Sequence, residues 1–147
     1  MDRVPSPPSE GTLSANDSSL VLRLVAGERS LLFTGDVEAA GEVGITSSAR
    51  PFPVTVLKVP HHGSATSSGE AFLRWAKPAL AVFSLGAGNA YGFPHPSVLA
   101  RYRHFGARIL RTDREGSVWI SIEGGRVALL PQSAAFPALC SLFGALC

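Results

Sequence analysis

The stretch "VTVLKVPHHGSATSSGEAFLRWAKPALAVFSL", Val54 to Leu85, decides the fold. Val54 to Val59 is a β-branched run bounded by Pro53 and Pro60, which predicts a buried strand that stops where two adjacent histidines begin. Ser67 and Glu70 have the spacing of a capping box, opening a helix "GEAFLRWA" whose Phe72, Leu73 and Trp75 supply the apolar face. Lys77-Pro78 ends that helix, and "ALAVFSL" reads as the next buried strand. Strands separated by helices in this way argue for a layered α/β arrangement.

Outward from this unit, the upstream segment "SLVLRLV" (Ser19 to Val25) alternates around Arg23, and Ala-Gly-Glu turns it into "SLLFTG" (Ser30 to Gly35). That pattern fits an antiparallel hairpin whose second strand is buried. Asp36 follows, just before a short helical stretch "VEAAGEV" that it is placed to cap. Downstream, the glycine-rich loop "GAGNAYGFPHP" leads to a helix over Ser97 to Phe105, with Pro96 at or near its first position and Gly106 past its end. Then come a strand "ARILRT", a turn "DREG", a strand "SVWISI", and a tight "EGG" turn into "RVALL". The expected order is β-β-α-β-α-β-α-β-β-β. Hairpins at both ends make a mixed sheet, with α+β layering, a better expectation than a doubly wound one. Residues 1–14 read as an extended lead-in, 15–131 as one domain and 132–147 as an apolar tail interrupted by Pro137.

The chain has 147 residues, of which 46% are hydrophobic and 16% charged, the profile of a single globular unit with its own core. A formal charge of +2 is too small to imply a nucleic-acid partner by bulk electrostatics. No apolar run reaches the roughly 20 residues of a membrane-spanning helix, and the start of the chain lacks the apolar core of a signal peptide. The expectation is a soluble polypeptide. Cys140 and Cys147 lie in the last eight residues, too close to the end to staple the domain and without Cys-x-x-Cys zinc spacing.

Ionisable and polar residues cluster at three strand ends: Thr34-Gly35-Asp36, His61-His62-Gly63-Ser64, and Asn89 to His95. In an open α/β sheet, ligands collect beyond the carboxyl ends of the strands, where side chains from several strands converge. Imidazole and carboxylate groups suit zinc, manganese or iron. Asp36 is a metal ligand or a helix cap, and His95 is a site residue or simply the residue held extended before Pro96. His104, late on its helix, suits the helix's carboxyl end. Lys58 is a contact for an anionic substrate or a solvent-facing strand lysine. Ser64 lacks the G-x-S-x-G elbow of a nucleophilic serine, and "GAGNAYG" is neither a dinucleotide fingerprint nor a phosphate loop.

Five segments, "NDSSLVLRL" (Asn16 to Leu24), "LLFTGD" (Leu31 to Asp36), "LKVPHHGSATSS" (Leu57 to Ser68), "NAYGFPHPSVLARY" (Asn89 to Tyr102) and "RILRTDREGSV" (Arg108 to Val118), occur in an order that resembles the metallo-β-lactamase-like domain of ComEC-type DNA-internalisation proteins. The resemblance runs from about Asn16 to Leu130. It implies a partial αββα fold, a metal-dependent hydrolase acting on DNA phosphodiesters, and a competence membrane channel upstream that ties the intact protein to the plasma membrane. By resemblance, Asp36 is an acidic metal ligand. His61 and His62 match the family's catalytic histidines, with His61 also at the metal, while Asn16 and Ser19 match a polar pair and His95 a histidine on the substrate side; Lys58 and Ser64, read from the residues themselves, are further candidates on that side. Phe93 stands where many relatives carry histidine. The early His-x-His/Asp-x-Asp-His motif of the fold is absent, so the chain resembles about the second half of such a domain, and zinc or manganese is expected to bind this chain weakly or not at all.

Overall fold

The computed structural model describes residues 14–130. Most of the expected lead-in, and the 132–147 tail with both cysteines, lie outside the described residues.

Five strands form one mixed sheet in the order β1-β2-β3-β4-β5. β1 (Leu22–Ala26) and β2 (Arg29–Phe33) pair antiparallel, Leu22 opposite Phe33 and Ala26 opposite Arg29, as the two alternating runs around the Gly27 turn dictate. β3 (Val56–Lys58), β4 (Leu80–Phe83) and β5 (Arg108–Arg111) add in parallel, each beside its predecessor. Parallel neighbours need crossovers, and α1 (Ala39–Ser48), α2 (Glu70–Ala76) and α3 (Pro96–His104) supply them. Among the described residues no helix is long and apolar enough to cross a membrane.

The core forms where alternate strand residues meet the helices. Leu32, Leu57, Ala81 and Phe83 from the sheet pack with Phe72, Leu73 and Trp75 of α2 and with Val98, Leu99 and Tyr102 of α3. Each fully buried aliphatic or aromatic side chain stabilises the fold by about 1.5–3 kcal/mol, so these alternating positions specify which face meets the helices. Tyr102 is buried among them, its ring edge-on to Phe83 at 5.3 Å and its hydroxyl 3.1 Å from Ser68 Oγ. Burial pushes its phenol well above the ordinary range.

The helix ends depart from expectation. α1 starts later and runs further than "VEAAGEV", and its cap is not Asp36: Asp17 Oδ1 accepts the amides of Glu38 and Gly41, each at 2.8 Å. The capping box at α2 does not form. Its N-cap is Gly69, and Ser67 Oγ instead donates to the carbonyls of Pro60 (3.0 Å) and Ser64 (3.1 Å). The carboxylate of Glu42, reaching over from α1, accepts the amides of Ser68 and Gly69. A buried acceptor from a neighbouring helix has displaced the local one, and it satisfies two donors at once.

The last described elements also differ. "DREG" lies in a short helix α4 (Thr112–Glu115) and the start of its cap, and β6 (Trp119–Glu123) and β7 (Arg126–Leu130) form a separate two-stranded antiparallel sheet instead of extending the first. Val118, Trp119 and Ile120 approach the sheet face opposite the helices, meeting Leu31, Phe33, Val56 and Val82 around a groove of about 330 Å³. Leu22, Leu24 and Phe33 on that side remain partly exposed.

Candidate functional site

Parallel pairing of β2, β3 and β4 brings their carboxyl ends side by side, so the residues just past them face one cleft of about 880 Å³. Asp36 enters from β2, His61 and His62 from β3, Ser84 and Leu85 from β4, and Thr112 from β5. Asn89, Tyr91 and Phe93 of the following loop form another wall.

The turn after β3 is unusual. Pro60 ends the strand, and His61 and His62 both take left-handed backbone angles, φ +45° and +53°. Two consecutive non-glycine residues in this region are strained, and the surroundings hold them there. His61 N donates to Gly35 O at 3.2 Å, His95 N donates to Gly63 O at 2.9 Å, and Ser67 Oγ ties back to Pro60. Gly63 follows at φ +87°, where a Cβ would stand 2.8 Å from the Phe83 ring and from Pro94 Cβ, so only glycine fits.

The turn aims His62 at Asp36. His62 Nδ1 is hydrogen-bonded to the carbonyl oxygen of Ser84, and Nε2 lies 3.4 Å from Asp36 Oδ1. A carbonyl only accepts, so Nδ1 carries a proton, and Nε2 is the nitrogen turned to Asp36. Lys58 Nζ stands 3.6 Å from the same Asp36 oxygen and donates to Gly35 O at 3.1 Å. Burial pulls the Lys58 ammonium below its ordinary value, and the Asp36 carboxylate opposes that shift. Ser19 Oγ accepts the Asp36 amide at 3.0 Å, while Asn16 accepts the Ser19 amide through its carbonyl.

His61 turns the other way. Its Nδ1 is 3.3 Å from Glu38 Oε1 without the alignment of a hydrogen bond, which leaves a buried ring nitrogen unpaired. Glu38 Oε1 accepts instead from Thr66 Oγ1 at 2.7 Å, and the His61 ring sits edge-on to Phe93 at 5.8 Å.

Asp36, His61 and His62 therefore share one cleft, and Lys58 and Ser19 reach it through Asp36. Ser64 does not line it; its hydroxyl pairs with Thr66 Oγ1 at 2.9 Å. His95 does not line it either: its Nδ1 caps α3, accepting the Ser97 amide at 3.3 Å. Arg111, a basic residue beside the site, is committed through Nε and Nη2 to Asp113, which raises the guanidinium and holds the Asp113 carboxyl below the ordinary range. Glu38, Ser84 and Thr112 were not legible as site residues. Thr112 Oγ1 accepts the Leu85 amide (2.8 Å) and donates to Leu85 O (2.7 Å), a pairing across 27 residues that leaves no local signal.

The donor set falls short of a metal centre. Asp36 and His62 converge, but zinc in proteins takes about four donors, and among the described residues no group of three or more His, Cys, Asp or Glu side chains is placed to hold an ion. The two by themselves do not fit a bound metal.

Residues 7–86 match the family described as "Metallo-beta-lactamase superfamily". The chain is 40% identical over 113 residues to ComE operon protein 3 of Bacillus subtilis (strain 168), an alignment covering 77% of this chain and 15% of that protein. It is 38% identical over 122 residues to Competence protein ComA of Neisseria gonorrhoeae, covering 82% and 18%. To Recombination protein 2 of Haemophilus influenzae it is 33% identical over 124 residues, covering 84% and 16%. The chain thus spans less than a fifth of the length of these relatives.

Proposed function

The chain belongs to the metallo-beta-lactamase superfamily, and from that membership we propose that it supplies the later part of a hydrolase domain in a DNA-uptake competence protein, acting in the intact protein on phosphodiesters of incoming DNA. The observation that carries this reading is the meeting of Asp36 and His62 beyond adjacent parallel strands in one cleft, with Lys58 at the end of β3 paired to the same Asp36 oxygen. Lys58 offers the phosphate a positive charge, and Asp36 holds both Lys58 and His62 in place. Water forms the new bond to phosphorus as the bond to the leaving oxygen breaks, its proton passing to solvent; the leaving oxygen takes the proton from His62 Nε2, with Nδ1 anchored on Ser84 O so that the ring keeps its orientation. His61, packed against Phe93, shapes the wall beside it.

Zinc or manganese would require donors from outside the described residues, joined to Asp36 and one of the histidines. The competence channel of the intact protein places this domain at the plasma membrane.

The shortfall of metal donors favours a second reading, a catalytically degenerate module that binds DNA or a partner without cleaving it. One experiment separates the two. A labelled single-stranded oligonucleotide is incubated with the full chain and manganese or zinc, and both binding and cleavage are followed. Cleavage reduced about 100-fold or more in His62→Ala and Asp36→Asn supports the hydrolase. Salt-sensitive binding without cleavage supports the module, and neither binding nor cleavage overturns both.

A further inference from the structure

One wall of the cleft is aromatic. The Tyr91 ring stacks on Phe93 at 5.6 Å and 20°, and Phe93 meets His61 edge-on at 5.8 Å. A run of three rings therefore leads from solvent to the histidine turn, and Tyr91, Phe93, His61, His62 and Asp36 all line the same cleft. Tyr91 is 80% exposed, so the ring face turned away from Phe93 is open. An aromatic ring whose outer face is left in water forgoes part of the burial that ordinarily stabilises such a side chain.

The backbone that carries Phe93 is also held in place in advance. Asn89 grips the Phe93 backbone from both sides, Nδ2 donating to Phe93 O at 2.8 Å and Oδ1 accepting its amide at 2.9 Å, and Nδ2 also reaches Gly86 O at 3.3 Å. This clasp leaves little ordering to be done when a ligand arrives.

We infer that Tyr91 and Phe93 form a stacking platform for one unpaired nucleobase of a single-stranded DNA whose neighbouring phosphate lies at His62, in the same cleft. The inference rests on the phosphodiester reading above. Every base has a π-face, so stacking on the open side of Tyr91 is tolerant of sequence, and the platform selects for unpaired strands because a base inside a duplex has both faces occupied. Lys58 beside Asp36 contributes the salt-sensitive part of the affinity, and the rings contribute the part that depends on the base.

The test separates backbone from base. Binding of the full chain to labelled dT12 is compared, by fluorescence anisotropy, with binding to a 12-mer of the same backbone in which every residue is abasic. The expected result is about tenfold tighter binding of dT12. Tyr91→Ala should remove that difference while leaving the abasic affinity unchanged, and Tyr91→Phe should preserve it. Because Tyr91 is exposed, both variants should melt at the parent's temperature. Equal binding of the two oligonucleotides by the parent, or an undiminished difference in Tyr91→Ala, overturns the platform while the phosphodiester reading stands. Binding of neither oligonucleotide overturns that reading and the platform with it.

Discussion

His62 Nε2 stands 3.4 Å from Asp36 Oδ1, and the opposite ring nitrogen is fastened to the carbonyl oxygen of Ser84 at the end of the next strand. The imidazole thus spans the ends of β2 and β4 from a turn after β3, which lies between them. The backbone at His62 is left-handed where the ring makes that span.

The backbone requirement can be separated from the side chain's chemistry. His62→Gly should hold folding stability within about 1 kcal/mol of the parent, because glycine adopts φ +53° without strain. His62→Val should lose about 1–2 kcal/mol more than His62→Gly, since a β-branched residue resists this region. Urea denaturation monitored by circular dichroism measures both, and equal stability of the two variants would contradict the assignment of strain.

Gly63→Ala should be among the most damaging single-methyl changes in the chain. The added Cβ would lie 2.8 Å from the Phe83 ring and from Pro94 Cβ at a φ of +87°. A loss of about 2–4 kcal/mol is expected, read as a lower urea midpoint at unchanged slope.

Asp17→Ala should destabilise the fold by about 1–2 kcal/mol, because the amides of Glu38 and Gly41 lose their shared acceptor at the start of α1. Burial alone would raise the Asp17 carboxyl, but the hydrogen bonds from Gly41, Glu38 and Ser14 outweigh it and leave it below the ordinary carboxylate value. Its contribution is present above that ordinary value, about 3.8, and is lost as pH falls through the lower folded value. Asp36→Ala should leave α1 capped. Thermal melts of the two variants at neutral and acid pH compare these effects.

Glu42 predicts the opposite slope at higher pH. It is only 4% exposed, and burial pushes its carboxyl up to about 7, against the opposing pull of the Gly69 and Ser68 amides and the Arg101 charge. Between the ordinary value of 4.5 and about 7 the folded chain binds more protons at this site than the unfolded one, so stability falls as pH rises through that window. The loss should be about 1–3 kcal/mol. Melting temperatures from pH 4.5 to 8 should show this decline in the parent and a flatter profile in Glu42→Gln.

Lys58→Gln should weaken single-stranded oligonucleotide binding uniformly across sequences and reduce the slope of log affinity against log salt by about one. Anisotropy titrations at several salt concentrations test this. An unchanged slope would mean that Lys58 does not bind phosphate.

The sequence by itself determined the alternation of strands and helices, the arrest of β3 at Pro60, and the motif order that pointed to the family. These are local facts: a proline stops a ladder, alternating apolar residues specify a face, and a run of short motifs keeps its order however the chain folds. What each polar group would bind was decided only by the tertiary structure. Asp17 caps a helix more than 20 residues away in place of adjacent Asp36, Glu42 displaces the capping box of Ser67 and Glu70, and His95 turns to its own helix instead of the cleft. The separate β6–β7 sheet likewise depended on which face of the main sheet was left uncovered. A hydrogen bond forms wherever packing brings donor and acceptor together, and residues far apart in the chain leave no pattern in the sequence until the sheet and helices have placed them side by side.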